Sequence, residues 1–155
     1  MQKLLLTIMI GVTMFMSSDV LHFENIRDCF KESCSIEITI DNKSKILISG
    51  EDEYENLFSC FYEMIEGAHQ MPALGVSIHE LALETKKQGT WLEFKFNNTI
   101  YCNEMPFEAL LIEVEPNFGG FNLIRKVEGK YEGKCFYLNL NNQNMQKLYD
   151  LLQSL

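Results

Sequence analysis

The chain has 155 residues, 46 % of them hydrophobic and 12 % aromatic, which is enough for the buried core of one globular domain and too much for a disordered one. Its 22 acidic side chains stand against 13 basic ones, for a formal net charge of −9. That balance argues against nucleic acid, which demands a basic face, and against an anionic membrane surface; a basic protein partner, a cation or a neutral ligand is compatible with it.

The first eighteen residues, "MQKLLLTIMIGVTMFMSS", differ from the rest. Lys3 is their single charge, and Leu4 to Met16 form an apolar run of signal-peptide length, shorter than the ~20 residues of a membrane span. The expectation is a signal peptide over 1–18, cleaved near Asp19, and a single domain over 19–155 with no membrane span. The alternative is an uncleaved N-terminal element of a cytosolic protein. Cleavage would leave 12 basic against 22 acidic side chains, a charge of −10.

Residues 19–33 are mixed, with a short helix expected in "FENIRDCF". The stretch "DCFKESCSIEITI" then places Cys29 and Cys34 directly ahead of a strand. In an oxidising compartment the pair nearest in sequence is the expected disulfide, and closing so short a loop contributes roughly 2 kcal/mol in the chain-entropy model. Phe30, Lys31 and Glu32 would then form a tight surface loop. In the cytosol both would be plain thiols. Zinc lacks suitably spaced ligands, since His22, His69 and His79 are scattered, and a redox pair would read C-x-x-C. No metal or cofactor is expected. The Cys-bounded loop followed at once by a strand hairpin resembles the inhibitory loop of periplasmic lysozyme inhibitors. The resemblance ends there: the His on which that family's loop relies is absent, and no site residue is carried over.

"SIEITI", "DNKS" and "KILIS" predict a hairpin with Ile36, Ile38 and Ile40 on its buried face. Ser49 with Asp52 reads as a capping box for an amphipathic helix whose inner stripe is Tyr54, Leu57, Phe58, Phe61, Met64 and Ile65, ending at Gly67. Glu51, Asp52, Glu53 and Glu55 complement the positive helix end and lack the alternation of a calcium loop. "HQMPALG" reads as a loop. "SIHELALE" fits either a capped helix or an alternating strand, and the strand is preferred because "TWLEFKF" repeats the same period with Leu92, Phe94 and Phe96 inward. Asn97-Asn98 reads as a hairpin turn into "TIYCN".

Strands "FEALLIEV", "FNLIRKV" and "KCFYLNL" follow, and a C-terminal helix buries Met145, Leu148, Tyr149, Leu152 and Leu155. "EGKYEGKC" misses the phosphate-binding loop at Glu128 and Cys135 and is read as a connection between strands. Ser77 and His79 lack the third group and oxyanion site that a nucleophile requires. In "PNFGGFN", Phe121 points into the sheet and Phe118 stays near the surface, where aromatic anchors of protein contacts occur.

The expected fold is α+β: a single domain with a mainly antiparallel sheet of six to eight strands, and a long amphipathic helix and a C-terminal helix packed on one face. The expected function is non-catalytic: a small acidic exported protein that binds a basic protein, as an inhibitor or immunity protein does. Its contact surface would comprise Glu55, Glu63 and Glu66 of the long helix, together with Phe118. The alternatives are a ligand-binding or structural module of the cell envelope and a cytosolic interaction protein.

Overall fold

The computed structural model describes residues 20–73 and 79–155. These comprise β1 (Leu21–Phe23), α1 (Ile26–Cys29), a 3-10 turn (Phe30–Glu32), β2 (Ser33–Ile40), β3 (Lys43–Ile48) and α2 (Asp52–Met64). There follow β4 (His69–Pro72), α3 (His79–Thr85), β5 (Thr90–Cys102), β6 (Met105–Glu113), β7 (Gly120–Val127), β8 (Lys130–Asn139) and α4 (Gln146–Ser154). The fold is α+β. One eight-stranded sheet runs in the order β3-β2-β5-β6-β7-β8-β4 with antiparallel neighbours, and β1 lies parallel to the end of β5.

Three hairpins close through two-residue turns at Asp41-Asn42, Asn103-Glu104 and Glu128-Gly129, each with both φ angles positive. Such turns match the twist of the strands they join. The glycine-containing turn disposes of the near-phosphate-loop motif: "EGK" is where β7 turns into β8, pairing Val127 with Lys130.

Both sheet faces are covered. Even-numbered residues of β2, β5 and β6 (Ile36, Ile38, Leu92, Phe94, Leu110 and Ile112) join Leu57, Phe61, Leu148 and Leu152 of α2 and α4 in the main core. Phe30 sits at its centre, edge-on to both Phe61 and Phe94 at 4.8 Å. The alternate residues face the other way, where Trp91, Leu111, Ile124 and Tyr131 form a second cluster with Ala82 of α3. The long helix and the C-terminal helix therefore share one face, as expected, and α3 covers part of the other.

Several expectations are corrected. "SIHELALE" is not a strand: the residues described in it, from His79 onward, are helical. Asn97-Asn98 is no turn; β5 runs through it with a register shift against β6 between Lys95 and Ile100, and pairs with β2 along its first half and with β1 at its last three residues. "HQMP" is a short edge strand on β8 rather than a loop. No capping box forms at α2; Glu51 is the N-cap, and its carboxylate and that of Glu55 accept from the Ile48 and Gly50 N–H groups instead. Leu155 stays exposed while Met145, Leu148 and Leu152 are buried.

Cys29 and Cys34 are not joined, and no disulfide occurs among the described cysteines. The chain between them is a helical turn, not a surface loop: Phe30 is fully buried, and only Lys31 and Glu32 face solvent. The turn aims the two thiols apart. Cys34 donates to the Lys95 carbonyl at 3.3 Å, while Cys29 points into the core against Cys102, and that contact and burial push its thiol up. Cys135 is buried nearby and pushed up to about 12, chiefly by burial. The signal-peptide expectation and Ser77 lie outside the described residues.

Candidate functional site

The short helix α3 is held on the sheet more by polar contacts than by oil. Only Ala82 is buried, and Leu81 and Leu83 face outward. Lys86, just past its end, reaches Glu93 at 3.1 Å and Glu37 at 3.3 Å. Lys95 meets Glu37 at 2.6 Å, and Lys126 meets Glu93 at 3.5 Å. The Glu93 side chain is 2 % exposed and also accepts from the Tyr131 hydroxyl at 2.9 Å. At the start of α3, His79 Nδ1 accepts from the Tyr131 backbone N–H at 3.1 Å.

A charged group so deeply buried persists only when paired and hydrogen-bonded, and this network supplies both. Burial works to raise the Glu37 carboxyl, but the Lys95 hydrogen bond and the charges of Lys86 and Lys95 outweigh it and hold it below the ordinary carboxylate range. Burial, reinforced by Glu93, pushes the Tyr131 phenol up, so it remains a donor.

Beside this network a cavity of about 520 Å³ opens between α3 and the sheet. Leu81, Ala82 and Thr85 form one wall; Trp91, Glu113 and Ile124 form the floor. Trp91 and Glu113 are direct cross-strand partners, so they stand side by side. The indole N–H donates to the Gln88 carbonyl at 2.7 Å, which fixes the ring. The far wall is the turn around Phe118 with Gly120, Asn122 and Tyr137. Phe118 is 44 % exposed and Leu81 51 % exposed, so two large apolar side chains frame the mouth. Burial, and secondarily the charge of Glu115, raise the Glu113 carboxyl above its ordinary range.

Of the residues singled out in the sequence, Phe118 belongs to this site, and Phe121 is buried behind it as expected. Glu55 and Glu63 are exposed along α2, on the opposite side of the sheet; the helix closes at Met64, so Glu66, expected on it, lies exposed in the turn just past its end. Glu63 pairs with Lys147 of α4 at 3.0 Å, and Glu55 holds the Gly50 N–H. The structure thus gathers the aromatic anchor and the helix carboxylates on two different faces. Lys31 is paired with Asp28 at 2.9 Å. Trp91 and Glu113 were not singled out, because nothing in their local sequence marks them; they meet only through the β5–β6 register.

Among the described residues no three His, Cys, Asp or Glu side chains are grouped to hold a metal, and no helix is long and apolar enough to cross a membrane. No protein-family model, curated protein or solved structure matches the chain.

Proposed function

We propose that this chain is a small acidic exported protein that binds a basic protein partner, non-catalytically, through the cavity beneath α3. The cavity is the observation that carries the reading. Its size lies within the roughly 300–1,000 Å³ of known ligand sites, and its walls combine apolar and aromatic surface with a few polar groups, as binding pockets do. Phe118 and Leu81 at the mouth are the large, exposed apolar side chains on which interface energy concentrates. The net charge of −9 favours a basic partner by steering. Export rests on the apolar run Leu4 to Met16.

The test is capture from native extract with the full chain and with two variants, Leu81→Glu and Phe118→Ala. A basic protein retained by the wild type and lost with both variants is the expected result. Capture that survives both substitutions would place the contact elsewhere. N-terminal sequencing from the native host is expected to begin near Asp19; an intact Met1 would overturn export without touching the binding site. A small molecule in the same cavity is the second reading, favoured by its volume of about 520 Å³.

A further inference from the structure

Three carboxylates of neighbouring strands face the α3 side of the sheet, and two of them have cations. Glu37 lies between Lys86 and Lys95, and Glu93 between Lys86 and Lys126. The third, Glu113, has no ion pair and no side-chain hydrogen bond among the described residues, and the charge among them that acts on it, Glu115, is of the same sign. It is also the carboxylate that lines the cavity, directly across the strand pair from Trp91, and Phe118 lines the same cavity. A half-buried carboxylate beside two aromatic rings presents one chemistry: an apolar, electron-rich trough with a negative end. The group that complements it has an aliphatic stem and a cationic head.

We propose that the cavity beneath α3 takes a lysine or arginine side chain of the basic partner, its stem between Trp91 and Phe118 and its charged head on Glu113. This rests on the reading of the cavity as the partner site and names what enters it. An incoming cation supplies the counter-charge that Lys86, Lys95 and Lys126 already give the neighbouring carboxylates. It also sits where cation–π attraction adds to a charge-assisted hydrogen bond. A neutral apolar side chain would fill the same volume and leave Glu113 desolvated and unpaired, at a cost.

Trp91 is the chain's single tryptophan, so its fluorescence reports occupancy without a label. The full chain is titrated with butylguanidinium and with its uncharged isostere butylurea. The expected result is a saturable change in Trp91 emission, with the cation bound about tenfold or more tighter than the urea. Glu113→Gln should bring butylguanidinium down to the level of butylurea and leave butylurea unchanged, whereas Glu66→Gln should alter neither.

Molar salt supplies a readout independent of any variant's folding: it should weaken the cation and spare the urea. Equal affinity for the two probes, retention of the preference in Glu113→Gln, or no saturable change with either would overturn the cationic occupant. None of those outcomes bears on partner capture, which Leu81→Glu and Phe118→Ala test separately. Loss of capture in those variants together with indifferent probes would leave the partner site standing with a different occupant.

Discussion

Gly120 begins β7 at the back of the cavity, and its missing side chain is what lets Tyr137 lie there. A methyl group at this position would overlap the Tyr137 ring and stand about 2.5 Å from the Leu138 carbonyl oxygen. The backbone atom belongs to the β7–β8 ladder and cannot yield as a side-chain tip could. Gly120→Ala should therefore destabilise the fold by about 1–3 kcal/mol, the range for overpacking a filled site, measured as a lowered urea midpoint with unchanged slope. The cysteines give a second test at this scale. Cys34 is half-buried and the other four are buried. Native alkylation should label Cys34 first and the rest slowly, and unfolding without reductant should expose all five thiols to label, read by intact mass. A Cys29–Cys34 bridge would leave two of the five unlabelled in the unfolded chain.

The helix α3 depends on charges rather than on a buried stripe, so its stability should follow pH. Glu37 has its folded-state carboxyl held below the ordinary value of 4.5. A depressed carboxyl stabilises the fold above the unfolded-state value, and that contribution is lost as pH falls through the folded one. Below about pH 4.5 the wild type should lose stability faster than Glu37→Gln, and at pH 7 the variant should be weaker by about 1–3 kcal/mol, since it leaves Lys95 and Lys86 short of a partner. Urea unfolding of both proteins across that range decides, and parallel pH curves would show that Glu37 carries none of the dependence. The same features explain why the sequence pattern points to a strand where a helix forms. In "ELALET" the leucines do alternate, but Leu81 and Leu83 both face solvent, and hydrophobic period is silent about a helix fastened by Lys86 and His79. The α2 stripe and the Ile36-Ile38 alternation were legible because burial of one face dictates both. Asn97-Asn98 has turn chemistry, but beyond it Ile100–Cys102 pair with β6 on one side and with β1, supplied from far along the chain, on the other, and β5 stays extended. Of the cavity, the sequence displayed Phe118 through the glycines next to it; Trp91 and Glu113 became neighbours only by strand register.

At the scale of the whole molecule, the sheet separates two kinds of surface. One side carries α2, with its exposed glutamates; the other carries the cavity, with Phe118 at the mouth. A field of −9 acts over distances comparable with the ~8 Å Debye length at physiological ionic strength, so the α2 carboxylates need not touch a basic partner to hasten its approach. Once bound, the complex is held by close contacts, which set the rate of leaving. The two groups of residues should therefore separate kinetically. Among the carboxylates of α2 and the turn after it, Glu66 is the clean test, because reversing Glu63 would also break its pair with Lys147, and reversing Glu55 would release the Gly50 N–H. Glu66→Lys should slow association by a factor of about two to three at low salt, with no change in dissociation and no effect once salt screens the field. Phe118→Ala should leave association nearly intact and speed dissociation about tenfold or more, the signature of a lost anchor. Surface-binding kinetics with the captured partner, run at two salt concentrations, measure both rates. A partner that is itself acidic, or an association rate indifferent to salt, would remove steering from the account and leave the apolar rim of the cavity to carry recognition unaided.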